Sequence, residues 1–311
     1  MNPMKHAILS LAAFAAVAHA APLNPAQIPA ETQWQVHADL DALRTSETGK
    51  MLLSRLDAIY GIKLTAAKRM FSIDPAADLK GLTLYGNDFG DKTVALIHGK
   101  FDRQHLEEIV AAASGYTKSE HGGLTIHSWQ KKVTRQQHAA FAADDLIVFS
   151  RNREALLHAI QVLQAKAPAT NDLSFPGENR QPLLVANARV AGLPLYGDSS
   201  RILRLARTLS LAANEHEGRF FLHVGAESPD APDADRLRRL LDGMIAFLEV
   251  GDQKFEGLDF RSSVAVVPDK PGVIASASLP VPEWLSVVEK KIAGMERKSK
   301  IREGLRLKKA K

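Results

Sequence analysis

From Trp34 to Asp41 the chain alternates without a slip. Trp34, Val36, Ala38 and Leu40 fall on one side, and Gln35, His37, Asp39 and Asp41 on the other. A period of two puts the first set on one flank of an extended segment and the second on the opposite flank. That is the pattern of a half-buried strand, in which one face meets a core and the other is at least partly polar. It therefore predicts a mostly antiparallel sheet with helices packed on one face.

The rest of the chain supplies those helices at a period of 3.6. Leu52, Leu53, Leu56 and Ile59 form one stripe, with Gly61 as its expected stop. Strands are predicted at Leu82–Tyr85 and Thr93–Gly99 around the turn Gly86-Asn87-Asp88. Asp102 then caps a helix whose inward side is Leu106, Ile109, Val110 and Ala113. Gly123–Trp129 and Ala139–Ser150 read as strands, the latter interrupted or closed at Asp144-Asp145. A helix follows from Arg153 to Gln164.

After a Pro-containing polar stretch the order replays. Leu183–Val190 is a strand, Ser199–Thr208 a short helix, and Leu209–Asn214 and Arg219–Ala226 are strands. A helix from Asp233 to Leu248, a hairpin of Leu258–Val267 with Gly272–Leu279, and a helix from Glu283 complete it. Two short echoes accompany the replay. Gly123–Ser128 matches Gly257–Ser262 without a gap, and Leu96–Gly99 matches Leu222–Gly225. The expected fold is α+β, with two tandem β-α-β-β-α-β-β-α units. The expected boundaries are 1–20 for a signal peptide, 21–33 for an extended lead-in, 34–164 for the first unit, 165–180 for a linker, 181–296 for the second unit and 297–311 for a basic tail.

The signal peptide rests on Lys5, the apolar run Ile8–Ala18 and the small residues of Ala18-His19-Ala20. The run is too short to span a bilayer. It predicts an exported protein, periplasmic or secreted after cleavage near Ala20. The 311 residues contain no cysteine, which excludes thiol nucleophiles, thiolate metal sites and a lipidated cysteine. The net charge of +5 is uneven. Residues 297–311 hold eight Lys/Arg and one Glu, so the body from Ala21 to Glu296 is slightly acidic.

Few residues offer chemistry. Gly197-Asp198-Ser199 resembles the nucleophile block of GDS-type esterases and lipases. The acid–base block that such enzymes place after the serine occurs here only as Asp102-Arg103-Gln104-His105, ahead of it, and Asp198 or Ser199 reads first as the cap of the following helix. His121 and His127 flank a strand and are candidates for a metal pair on one side of it, yet no third ligand stands at a suitable spacing. His98 and His223 lie in central strands, where a histidine serves as a satisfied core residue. Asp39/Asp41 and Asp144/Asp145 have the spacing of paired carboxylates but no aromatic sugar platform; they read as a solvated strand face and a hairpin turn. Gly122-Gly123 suits a turn, and no phosphate loop or dinucleotide fingerprint is present.

The layout, with phrases such as Trp34–Leu43 and Val94–Leu106, resembles uncharacterised exported bacterial proteins that carry a signal peptide and tandem α+β repeats. That resemblance implies no activity and no site residues. No catalytic, cofactor-binding or metal-ligating residue and no cofactor is assigned, and no nucleic acid is expected as partner. The sequence favours a non-catalytic envelope or secreted protein that binds a protein partner or envelope component. The alternatives are a metal-independent serine hydrolase using Ser199, and a peripheral membrane protein held on an anionic surface by the basic tail.

Overall fold

The computed structural model describes residues 21–132, 135–170, 181–192, 202–250, 259–263, 266–267, 270–290 and 292–293. The predicted signal peptide, the tail 297–311 and the segment carrying Gly197, Asp198 and Ser199 lie outside them. The chain is α+β, and one antiparallel sheet of thirteen strands runs through it.

The strands are β1 (Trp34–Asp39), β2 (Leu79–Gly86), β3 (Val94–Gly99), β4 (Thr117–His121), β5 (Leu124–Lys132), β6 (Arg135–Ala143), β7 (Leu146–Ser150), β8 (Leu184–Arg189), β9 (Thr208–His216), β10 (Arg219–Glu227), β11 (Asp259–Ser263), β12 (Val266–Val267) and β13 (Lys270–Pro280). The helices are α1 (Leu40–Thr45), α2 (Glu47–Phe71), α3 (Arg103–Ala111), α4 (Arg153–Leu163), α5 (Ala231–Val250) and α6 (residues 281–290). The order across the sheet is β11-β13-β10-β9-β8-β1-β2-β3-β7-β6-β5-β4, with β12 beside β13.

The two halves of the chain meet at the pair β1/β8, in register from Trp34 opposite Ala188 to Ala38 opposite Leu184. Outward from it run β2, β3, β7, β6, β5 and β4 on one side and β9, β10, β13 and β11 on the other. The echo Leu96–Gly99/Leu222–Gly225 falls on β3 and β10, which hold matching places. The other echo falls on β5 and β11, which do not, because β6 and β7 separate β5 from β3 while β13 alone separates β11 from β10. The first half also has four strands between α3 and α4, where the sequence predicts two. Lys132 pairs with Arg135 at the ends of β5 and β6, Asp144-Asp145 turn β6 into β7, and Gly122-Gly123, both at positive φ, turn β4 into β5.

Residues opposite one another in a ladder point to the same face. His37, Thr83, Leu96, Val148 and Ala140 follow one another across five strands on the first face. Val36, Leu84, Ala95 and Phe149 do so on the second. On the first face α4 packs Leu156, Ala159 and Ile160 against Leu96, Ile126 and Val148, and the lead-in residue Ile28 is fully buried among them. On the second face α3 lies over Ile97 and Phe149, while α5 packs Leu237 near Leu209, Ala226 and Val273. Trp284 of α6 stacks on Phe220 of the same face at 3.9 Å. Helices therefore cover both faces, not one as the alternation of β1 alone implied.

Two further expectations change. The lead-in is part of the core: it forms a turn at Pro25–Gln27, and Ile28 accepts from the amide of Thr170 at 2.7 Å. Gly61 does not stop α2, which continues to Phe71 and ends on Ser72 in the left-handed region at φ 52°. Nothing competes with the helix at Gly61, because a lone glycine costs only about 1 kcal/mol inside one.

Candidate functional site

The alternation of β1 is present, but beyond Trp34, which is buried, its burial is inverted. The polar residues Gln35, His37 and Asp39 are 3%, 2% and 1% exposed, whereas Val36 and Ala38 are only half-buried. Ala21 and Gln27 of the lead-in explain the first observation. Ala21 lies over Gly81 and beside the His37 ring, and Gln27 Oε1 is 3.1 Å from His98 Nε2. His37 Nδ1 meets Thr83 Oγ1 at 2.8 Å. Asp39 accepts from the amide of Ala42 at 2.9 Å, capping α1, and from the Gln181 side chain. Asp39 and Asp41 are thus not a solvated carboxylate pair: Asp39 is a buried cap and Asp41 binds Arg44. Burial pushes the His37 and His98 rings below the ordinary histidine range, against the smaller opposing pull of Asp39 and Asp145 respectively.

The second face presents the opposite case. Val36, Leu82, Leu84, Ala95, Leu184, Leu211 and Leu222 are apolar yet only half-buried, and Val224 is exposed. They form a continuous apolar floor across the β1/β8 seam. The long helix α2 belongs to this side but packs chiefly on α1 and α3, not on the strands. Its first-turn amides, Glu47 N and Thr48 N, donate to the carboxylate of Glu215 at 2.7 and 2.9 Å. That pair of bonds places a negative charge at the positive end of the helix. Arg55 pairs with Glu289 of α6 at 2.9 Å, and at the far end the Met70 carbonyl meets the His105 ring of α3 at 2.9 Å. Twenty-five residues give a rod of about 37 Å. The rod is fastened to the second half at one end and the first half at the other. Of the stripe expected to be its buried side, Leu52 and Leu53 are half-buried while Leu56 and Ile59 are nearly half exposed; Ile62, further along, is 90% exposed.

Each face of the sheet also carries a cavity. One, of about 220 Å³, lies at the start of α4 and is lined by Glu31, Lys92, Asn152 and His158. Glu31 and His158 pair at 2.5 Å there, and burial, helped by Glu31, pushes the Tyr85 phenol well up. The other, of about 150 Å³, is apolar and lies between α3 and the second face, with His127 and Glu107 at its wall.

The residues that offered chemistry in the sequence disperse. Asp102 caps α3 through the His105 amide at 3.0 Å, and the His105 ring turns to Met70, so the two form no acid–base dyad. His121 lies opposite Leu124 on the first face, and His127 is on the second, so they do not share a side. His223 Nδ1 meets Ser276 Oγ at 2.8 Å. Asp144 and Asp145 are exposed in their turn. Among the described residues no group of three or more His, Asp or Glu side chains is placed to hold a metal. Among them, too, no helix is long and apolar enough to cross a membrane. Glu215, Glu107 and Tyr116 do not stand out in the sequence. A carboxylate that reaches a helix start 167 residues away leaves no local signal.

No family model matches the chain, and no curated protein matches it. Among solved structures it is similar to TP0453. Crystal form III superposes with a TM-score of 0.44 at 8% identity, covering 86% of this chain and 98% of that one. Crystal form I gives 0.42 at 10% identity, covering 87% and 98%.

Proposed function

We propose that this is an exported, non-catalytic protein that binds an apolar or amphipathic envelope component on the second face of its sheet, beneath and beside α2. One observation carries the reading. The central strands bury their polar flank and leave their apolar flank half open, while the helix that crosses that flank also leaves its apolar stripe open. A chain that only needed stability would bury the leucines and expose His37 and Asp39, since apolar burial contributes about 25 cal/mol per Å². Open apolar surface on this scale marks a place where something else is bound. Export is supported by the sequence of residues 1–20. The first three strands outward from each side of the seam, β2-β3-β7 and β9-β10-β13, run in a like order, which supports two tandem units.

The test is a titration of the chain from Ala21 onward with a dansyl-labelled C11 fatty acid. We expect enhanced, blue-shifted emission that unlabelled palmitate reverses. Leu84→Glu and Leu211→Glu, each placing a charge on the floor, should weaken binding at least about tenfold, the penalty of a buried unpaired carboxylate. No enhancement from the folded wild-type chain, or full binding by both variants, overturns the reading.

A further inference from the structure

Residues 21–28 are fastened to the first face from Ala21 onward. At Gly81 of β2 the place of a side chain is already taken. A Cβ there would lie 3.0 Å from Ala21 Cβ, 3.1 Å from the Ala21 carbonyl oxygen and 3.4 Å from His37 Cε1. Side chains do not ordinarily pack so closely, so the bare backbone of Gly81 is what lets Ala21 lie on the sheet. Ala21 is half-buried in that position. Leu23 packs against the first-face core, and Asn24 caps the turn Pro25–Gln27. Gln27 reaches His98 at 3.1 Å, and Ile28 is fully buried. Ala21 is also the residue that cleavage near Ala20 would make the first of the mature chain. The expected scissile amide thus ends on a residue that the folded sheet holds.

We propose that leader removal precedes the docking of residues 21–28, and that once the precursor has folded the seat at Gly81 protects the Ala20–Ala21 bond from the peptidase. The inference rests on the export reading above. The reaction is hydrolysis. Water adds across the Ala20–Ala21 amide, with its hydroxyl going to the Ala20 carbonyl carbon and its proton to the Ala21 nitrogen. The leader leaves with a carboxylate, and the mature chain begins with an ammonium. A peptidase that performs this step takes the residues on both sides of the bond into its own cleft as an extended strand. Ala21, Pro22 and Leu23 follow the bond, and two of the three are held, Ala21 by the sheet and Leu23 by the core. A fastened segment is cut through its transiently opened form, at a rate set by the population of that form. The order of synthesis leaves an interval for the cut. Gln27 waits for His98, 71 positions further on, and Ile28 and Ala30 wait for the backbone of Thr170 and Pro168. Until those residues follow, the lead-in has only part of its seat.

The experiment is digestion by a bacterial signal peptidase in detergent micelles, with the cut located by mass spectrometry. The substrates are the folded 311-residue precursor, the same precursor carrying Gly81→Val, and a peptide of residues 1–33, which has the bond but no sheet. Hydrogen exchange of the β3 and β7 amides confirms that each precursor is folded. The peptide should be cut after Ala20, and the folded precursor at least about tenfold more slowly. Gly81→Val fills the place where Ala21 lies and should remove most of that protection. Leu23→Asp frees the same segment from the core without altering the sheet, and it stands in if Gly81→Val does not fold. A peptide 1–33 with Leu23→Asp corrects for any effect of that change on the peptidase itself. A folded wild-type precursor cut as fast as the peptide overturns the proposal, as does full protection in either folded variant. A peptide left uncut after Ala20 overturns the export reading, and this inference with it.

Discussion

Asp39 shows how one side chain can be read correctly in position and wrongly in role. Its place in the alternation is plain, and the residue that donates to it is not, because Gln181 is 142 positions away. Asp39→Ala removes the cap of α1 and the bond to the Gln181 amide, which is exposed and can turn to water; we expect a loss of about 1–2 kcal/mol in urea unfolding. Asp39→Asn, which keeps an acceptor for the Ala42 amide, should cost less. The buried histidines give a pH signature. Burial lowers the rings of His37, His98, His127 and His138 in the folded chain, while the unfolded chain protonates them near the ordinary 6.5. Their contribution is therefore complete above about pH 6.5 and is lost as the pH falls below it, because the unfolded state then binds more protons. The melting temperature should drop steadily from pH 7 to pH 5, and a flat profile over that range would contradict the burial of these rings.

At the scale of elements, α2 is the one whose sequence misleads most. Its stripe Leu52, Leu53, Leu56, Ile59 has the period of a core helix, and periodicity cannot say whether a core is there to receive it. What holds α2 is contact at its ends. A Cβ at Gly49 would sit on the backbone carbonyl of Leu43, so α1 and α2 cross with no room for a side chain. Gly49→Ala should force the two apart and cost about 2 kcal/mol. Glu215→Ala should loosen the helix start by about 1 kcal/mol and speed hydrogen exchange in residues 50–60, with the sheet amides unchanged. Equal exchange in both proteins would mean the Glu215 contact does not anchor the helix. The strands are more legible. Gly122-Gly123 and Glu217-Gly218, at positive φ, mark hairpins by the conformation they permit. The β4–β7 series is harder to see because polar residues interrupt it and its edge strand is nearly all polar.

Across the whole molecule, the two halves share backbone hydrogen bonds rather than a domain interface. The β1/β8 ladder makes the sheet continuous, so heating should give a single calorimetric transition. Two well-separated transitions would show that the seam is weaker than the ladder implies. The class of the fold is readable because period and turn residues are local. The continuity of the sheet is not, since no residue of β1 names β8 as its neighbour. The same limit hides the covering of the first face by the lead-in, where a Pro- and Ala-rich segment looks like a tether.

That seam also sets an order of events. As the chain emerges from its N-terminus, β1 can find β2 early, but its other edge stays unpaired until Leu184–Arg189 has been made some 150 residues later. An open strand edge beside a leucine-rich flank is the kind of surface that captures a second copy. During that interval the half-made chain is at its most vulnerable, and slowing its translation or delivery should harm yield far more than any change at the finished outer strands.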